Sequence, residues 1–436
     1  MKAPASIYQT ALYTILLCLL FLPLFEITTG FIKVKKLDGA YENKDTLPTF
    51  SVKNWLNGTY QFQKEKTVND SFGFRNIYVR INNQVDYSLF NLPHANEIVG
   101  GQDGYLFETH YIDGYYGNDF LGTVSINRTI EKLKFINDTL AKLNKTLLLV
   151  ITPSKALFYP EYLPDDPYTL RDSTNYYTYL RLLDKSPLHY IDFNNYFIAN
   201  KYTSKYPLEP KNGIHWSMYG AAIAGDSLIK YIETVRHIHM PKAIWKNTIV
   251  RSDTGYDNDV ETTMNLLFNL KSPLMAYPNI EFENDITKTK PNVMTVGDSY
   301  YWQLLSSYNI GHCFSPDSKF WYYFFKPDHS RLSRSEVKDE INKNDLIMIL
   351  ATAHNYINLG WGFIDTAYCM FKGTYPNHIK STIPSERLAE IKEGIKTDNE
   401  WLQQIEISAK ERGISLDSAI NINALWMIGQ ENNRKN

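Results

Sequence analysis

Apolar residues Ile126, Ile130, Leu133, Ile136, Leu140 and Leu143 recur every three or four positions. That spacing predicts an amphipathic helix beginning near Val124. Thr146–Thr152 (TLLLVIT) follows as a short unbroken apolar run with Pro153 beyond it, the pattern of a strand buried on both faces. The alternation then repeats. A helical stretch over 176–183 precedes a strand over 189–193, a helix is predicted over 219–235, and further buried strands over 292–296 and 345–351. Strands alternating with helices imply an α/β fold with a doubly wound parallel sheet. Upstream, Gln102-Asp103-Gly104 between apolar runs reads as a tight hairpin turn, whereas residues 37–98 show no clear periodicity.

The two ends depart from this pattern. Residues 11–25 are nearly all apolar, and extension through Phe31 makes the run just long enough to span a bilayer. No small-x-small cleavage signal follows, so the expectation is an uncleaved signal anchor. Lys33, Lys35 and Lys36 after the run outnumber Lys2 before it, which opposes export of the C-terminal remainder. Large domains translocate largely regardless of such charges, and an extracytoplasmic, inner-membrane-anchored protein is expected. From Ser385 onward Leu388, Ile391, Ile395, Trp401, Leu402, Ile405 and Ile407 sit among charges, which predicts a C-terminal helical appendage. The resulting division is an anchor over 1–36, a catalytic-type domain over 37–384 and a tail over 385–436.

Composition narrows the function classes. With 45 basic and 47 acidic residues the net charge is −2, so nothing supplies the basic field that nucleic-acid binding requires. Three cysteines exclude a disulfide scaffold, leaving at most a Cys313–Cys369 bridge, and no Cys/His cluster suggests a metal. No cofactor is expected. The 32 tyrosines mark a Tyr-rich core and surface in which the sequence singles out no sugar-binding strip.

Two segments carry candidate chemistry. In Val296-Gly297-Asp298-Ser299-Tyr300 a buried strand ends and a helix begins. Ligands bind beyond the carboxyl ends of such strands, beside helix N–H groups able to hold an oxyanion. A serine needs a base within reach to act as a nucleophile, and a Ser or Asp that merely caps the helix would look the same. The second segment, Gly213-Ile214-His215-Trp216-Ser217, precedes a predicted helix and offers His215 as that base. A histidine beside a tryptophan also suits a packed or capping role.

Taken together, these segments resemble the SGNH-like acetyltransferase domain of the periplasmic alginate O-acetyltransferases (AlgJ/AlgX type). Val68-Asn69-Asp70 with Phe74-Arg75 resembles the family's opening element. Gly101-Gln102-Asp103-Gly104-Tyr105-Leu106-Phe107 is similar to its Gly-Lys-Asp-Gly-Trp-Leu-Phe turn. Pro153-Ser154-Lys155 with Tyr159-Pro160-Glu161 is similar to its Pro-x-Lys and Tyr-Pro-Glu patch. The His215-Trp216 and Gly-Asp-Ser segments come next in family order, so the likeness spans about residues 65–360. It implies a circularly permuted SGNH-hydrolase-like sheet, with the histidine motif upstream of the serine. It also implies an O-acetyltransferase of an exopolysaccharide in which Ser299 is the nucleophile and His215 the general base. A membrane-bound O-acyltransferase partner would supply the acetyl groups. By the same correspondence Asn355, after the 345–351 strand, is an oxyanion-hole candidate, although it would serve equally to satisfy loop backbone groups. The resemblance also implies a structural role for Asp298 around the serine turn.

One departure stands out. The family pattern is Asp-x-His-Trp, with the aspartate orienting the histidine, and here that position is Gly213. Losing the carboxylate of a serine triad costs on the order of 10⁴ in turnover. Three outcomes are open: another carboxylate orients His215, with Asp192 the best candidate; a carbonyl or water does so, leaving a Ser299/His215 dyad; or the protein binds or scaffolds carbohydrate without catalysis. A carbohydrate acetyl-esterase would use the same residues as the transferase. The catalytic reading requires the Ser299 hydroxyl within about 3–4 Å of a His215 ring nitrogen.

Overall fold

The computed structural model describes residues 7–31, 35–38, 50–165, 173–326, 330–373 and 391–396, with isolated positions at 402, 405, 416, 420, 423 and 424. By contacts the chain divides into Met1–Phe371 and Lys372–Asn436. The expected boundary at 384/385 lies outside the described residues, as do Leu388, Trp401 and Ile407 of the predicted tail helices. Within the second unit residues 391–396 are helical, and Ile391 and Ile395 are buried.

Nine strands are described in the first unit: β1 (Ile98–Gly100), β2 (Leu106–Glu108), β3 (Thr146–Thr152), β4 (His189–Asp192), β5 (Ala243–Arg251), β6 (Met275–Phe282), β7 (Val293–Gly297), β8 (Lys319–Tyr322) and β9 (Leu346–Thr352). Five of them form the main sheet in the order β4-β3-β9-β7-β8, and every pairing is parallel. Continuous apolar runs are needed because both faces are covered. Leu148, Val150, Val293, Leu346, Met348 and Leu350 face one core with the Met218–Arg236 helix. Their neighbours Leu147, Leu149, Ile151, Met294, Val296, Ile347 and Ile349 face the other, which the Thr123–Lys142 helix closes with Ile126, Ile130, Leu133, Ile136 and Leu140. Each such side chain contributes about 1.5–3 kcal/mol by leaving water.

The Gln-Asp-Gly turn joins β1 and β2 as an antiparallel hairpin, with Asp103 and Gly104 both at positive φ (51° and 72°). The described residues of 37–98, by contrast, hold three helices the sequence pattern did not predict: Val52–Leu56, Thr59–Ser71 and Arg75–Phe90. Within the last of these Asn83 is the buried residue, so the core-facing side offered no apolar stripe to mark the helix in the sequence. Strands β5 and β6 form a separate antiparallel pair, and the loop that connects them reaches the histidine segment. Cys18, Cys313 and Cys369 are all free, so the Cys313–Cys369 bridge does not form. Cys313 is buried and its thiol is pushed up to about 12, mainly by that burial.

At the N-terminus the Ile7–Thr29 helix has a mean hydropathy of 2.1 in its most apolar window. Its 23 residues extend about 34 Å at the α-helical rise, enough to cross a bilayer core.

Candidate active site

The serine turn is built from its own segment and the end of the adjoining strand β9. Strand β7 ends at Gly297, and Ser299 sits immediately before the Tyr300–Gln303 helix. The buried Asp298 carboxylate stitches this turn to the end of β9. Its Oδ2 accepts from Thr352 N (2.7 Å), Thr352 Oγ1 (2.8 Å) and Asn355 Nδ2 (2.9 Å), and its Oδ1 from Tyr300 N (3.2 Å). Burial pushes the Asp298 carboxyl above its usual range, with these hydrogen bonds opposing the rise. Asn355 is thus fixed beside the serine turn by a bond to Asp298. A primary amide nitrogen has two hydrogens, so this bond uses one of them.

The histidine segment is fastened to the serine helix at regular intervals. Tyr300 Oη donates to Ile214 O (2.8 Å), Gln303 Nε2 to Trp216 O (2.9 Å) and Ser307 Oγ to Met218 O. Donors three and four positions apart lie on one helical face. Carbonyls two apart line one side of an extended segment, so the two periods mesh. Trp216, fully buried against Phe193, Phe197 and Tyr300, locks the segment from beneath. Lys155, fully buried, donates to Lys211 O (2.7 Å) and Gly213 O (2.5 Å); burial pulls its amine down to about 7.

These constraints place His215 Nε2 2.7 Å from Ser299 Oγ. On the other side of the ring, Nδ1 lies 2.5 Å from Asp259 Oδ2. An ionised carboxylate only accepts, so Nδ1 bears the proton and Nε2 is left to accept from the serine hydroxyl. The His215 side chain is 12% exposed. Burial acts to lower its pKa, but the Asp259 charge and hydrogen bond outweigh it, and the net shift is upward.

Asp259 corrects the sequence expectation that Asp192 orients the histidine. Asp192 ends β4 at the edge of the sheet, while β3 and β9 intervene before the serine strand β7, a lateral distance of about 14 Å at the usual strand spacing. Its oxygens are used locally. Oδ1 accepts from Asn195 N (3.0 Å) as a helix cap and Oδ2 from Tyr176 Oη (2.9 Å). Asp259 instead arrives on the β5–β6 loop and opens the Asp259–Thr263 helix. Its Oδ1 accepts from Ile214 N (3.0 Å) and Val260 N (2.8 Å), which aims Oδ2 at the imidazole.

The same loop accounts for Gly213. A Cβ at 213 would lie 2.5 Å from Tyr256 O and 3.0 Å from Asp257 O, so loop backbone occupies the volume of a side chain. Further bonds hold the two segments together: Glu261 N to Asn212 O (3.1 Å), Met218 N to Asp257 Oδ1 (3.0 Å) and Asn212 Nδ2 to Asp253 Oδ2 (2.9 Å). The sequence signal for this loop was its density of acids, Asp253, Asp257, Asp259 and Glu261. A cavity of about 570 Å³ opens beside it, lined by Ile98, Glu108, Ile214, His215, Asp259 and Val260 among others; Ser299 is not part of its lining.

A parallel sheet with a serine at the carboxyl end of one strand, and a histidine and an aspartate delivered by loops, defines an α/β fold with a Ser-His-Asp site, and the family match identifies the fold as SGNH-like. Residues 98–271 match the family model described as SGNH hydrolase-like domain, acetyltransferase AlgX. That match takes in His215 and Asp259 and stops short of Ser299. No curated protein matches the chain. Among solved structures, the O-acetyltransferase domain of Pseudomonas putida AlgJ is 15% identical, with 62% of this chain and 98% of that chain covered and a TM-score of 0.41. Pseudomonas aeruginosa AlgX is 14% identical over 62% and 67%, with a TM-score of 0.40. Bacillus cereus PatB1 is 13% identical over 61% and 99%, with a TM-score of 0.39. Likenesses this distant carry no functional argument.

Proposed function

We propose that the protein is an exported O-acetyltransferase acting on an exopolysaccharide through an acyl-enzyme on Ser299. The observation that carries this reading is the aligned Ser299–His215–Asp259 relay, at 2.7 and 2.5 Å. As Ser299 Oγ attacks the acyl carbonyl, its proton passes to His215 Nε2, and Asp259 stabilises the imidazolium so formed. The tetrahedral intermediate then collapses. Its leaving group departs with the proton from Nε2, and the acyl group stays on Oγ. A sugar hydroxyl next gives its proton to Nε2 and attacks the acyl carbon; as the second tetrahedral intermediate collapses to the new ester, the bond to Oγ breaks and Ser299 Oγ takes that proton back from Nε2. Asn355 is the proposed side-chain donor to the oxyanion, through the amide hydrogen not bonded to Asp298.

The rest of the reading comes from the chain's organisation. The Ile7–Thr29 helix would hold the domain at the outer face of the inner membrane. A membrane-bound O-acyltransferase would deliver acetyl groups there. Water in place of the sugar hydroxyl would make the same residues an esterase. A non-catalytic carbohydrate scaffold drew its support from the missing family aspartate, and Asp259 weakens that support.

The test is to incubate the protein with an activated acetyl ester and read its intact mass after acid quench. The expected result is one added acetyl group that maps to the Ser299 peptide and is absent from Ser299→Ala. Ester turnover that is equal in the two proteins would overturn the reading.

A further inference from the structure

The Arg75–Phe90 helix inverts the usual pattern of a globular protein. Its polar side chains face the body of the domain. Asn83 Nδ2 donates to Met264 O (2.8 Å), Arg80 Nη1 donates to Leu266 O (3.2 Å), and Gln84 Oε1 accepts from Phe268 N (3.1 Å). At spacings of three and four these three residues share one face. Tyr78, Ile81, Val85 and Leu89, likewise three or four apart, take the other side and are 41–69% exposed. A surface helix normally turns its apolar stripe to the core and its polar face to water. Single exposed apolar residues are ordinary, whereas an aligned row of them marks a contact surface.

What borders the row identifies its medium. The apolar Ile7–Thr29 helix buries only Pro23, and the backbone of Gly73 covers it, since a Cβ at 73 would collide with Pro23 O. Phe31 lies 6.1 Å from Phe74, and Phe74 6.5 Å from Tyr78. Rings therefore run without a break from the end of the apolar helix into the exposed row. Pro23 lies six residues before Thr29, about 9 Å along the helix axis. Amphipathic helices that lie on a membrane sink about 5–10 Å into the boundary of headgroups and acyl chains. The two depths agree.

We propose that the face formed by Tyr78, Ile81, Val85 and Leu89 lies in the interface of the bilayer that the Ile7–Thr29 helix crosses, as a second membrane contact of the domain. The inference rests on the reading of that helix as a membrane span. Tyr78 suits the position, because its ring is apolar and its hydroxyl reaches the headgroups. The contact also bears on the site. The inward bonds of the helix go to residues just beyond the Asp259–Thr263 helix. There Asn265 exchanges two bonds with the backbone of Asp38, at 2.7 and 2.9 Å. Asp38 and Asn265 line the cavity that His215 and Asp259 share. The helix is thus fastened to the loop that carries Asp259, and its seat on lipid holds that wall of the cavity at the membrane, where acetyl groups would be delivered.

The experiment reconstitutes the full chain in nanodiscs of phosphatidylethanolamine and phosphatidylglycerol, with a bimane fluorophore on one introduced cysteine. The positions are Ile81→Cys, Val85→Cys and, as a control on the exposed side of the Thr123–Lys142 helix, Asp138→Cys. Cys18→Ser and Cys369→Ser remove the other accessible thiols, since Cys313 is buried. Labels at 81 and 85 should lose several-fold more emission to a nitroxide near the lipid headgroup than to iodide in the water, and the label at 138 should do the reverse. Labels at 81 and 85 that yield to iodide instead would overturn the proposal. Labels there that neither quencher reaches would overturn it too, and would show a protein covering the face. The span is tested separately by a label on the native Cys18, which a nitroxide deep in the acyl chains should quench. Quenching at 18 but not at 81 and 85 would sink this inference alone. Quenching at 81 and 85 but not at 18 would sink the span and leave the face as the domain's own membrane contact.

Discussion

The serine turn and the histidine segment meet at the Ser299–His215 contact but are assembled differently. Around Ser299 the determinants are near neighbours in sequence or on the adjoining strand: Gly297 ends β7, Asp298 reaches back to Tyr300 N and across to Thr352. Around His215 the decisive group comes from 44 residues away, where Asp259 caps the imidazole. The difference teaches what each role demands. A nucleophile at a strand end needs a fixed backbone, which local sequence supplies. An imidazole needs an acceptor at Nδ1, which any loop can supply. Gly213 and Asp259 then form one adaptation, since the loop that delivers the carboxylate fills the space a side chain at 213 would need.

The largest expected effect strikes the local half. Ser299→Ala should reduce acyl transfer on the order of 10⁶-fold while moving stability by less than about 0.5 kcal/mol. Paired kinetics and unfolding curves check this, and a comparable loss of both would mean that the serine is structural rather than catalytic.

The borrowed half should respond almost as strongly. Asp259→Asn is expected to lower kcat/KM by about 10⁴-fold, because the amide no longer enforces the Nδ1–H tautomer. The sign of the accompanying pH effect is set by His215, whose net shift is upward despite its burial because of Asp259. As the base, His215 works in its neutral form, so activity should rise with pH through a midpoint above 6.5 in the unmodified protein. Without the carboxylate, burial is opposed only by the weaker Asp298 and Glu108 charges, and the midpoint should fall. Identical kcat/KM profiles for the two proteins would detach Asp259 from the mechanism.

A smaller effect tests whether Gly213 and Asp259 are coupled. Sequence alone suggests that Gly213→Asp would restore a missing carboxylate and raise activity. The loop carbonyls at 2.5 and 3.0 Å from the new Cβ predict the opposite: a loss of about 1–3 kcal/mol from overpacking, with activity falling. Denaturant unfolding of Gly213→Asp beside Gly213→Ala measures this. A stable variant with enhanced turnover would show that the loop yields and the local position can still serve.

Legibility in the sequence divides along the same line. The sheet was legible because TLLLVIT and the 345–351 run are buried on both faces, which only a covered parallel sheet requires. Ser299 and His215 were legible because each lies in a motif whose local structure is dictated nearby. Asp259 was not, since Asp253, Asp257 and Glu261 in the same loop look alike in one dimension. Only the hairpin geometry and two backbone N–H bonds, from Ile214 and Val260, distinguish it. Asp192 was preferred because it ends a strand, a criterion that ignores strand order. In the β4-β3-β9-β7-β8 sheet that order puts it beyond reach.

The smallest effect is therefore the most discriminating control. Asp192→Asn makes the same chemical change as Asp259→Asn, at the carboxylate that sequence preferred. The amide oxygen can still accept from Asn195 N and cap the Phe193–Asn200 helix, since Asn and Asp cap about equally well. Tyr176 Oη keeps an acceptor if the amide turns its oxygen that way, at the expense of the cap, so a cost of up to about 1 kcal/mol is expected. Because β3 and β9 separate Asp192 from the serine strand, kcat/KM and its pH midpoint should stay within error of the unmodified protein. A drop in kcat/KM at Asp192→Asn comparable to that at Asp259→Asn would mean that the histidine responds to both carboxylates. The 2.5 Å contact between His215 and Asp259 would then no longer explain the site's chemistry.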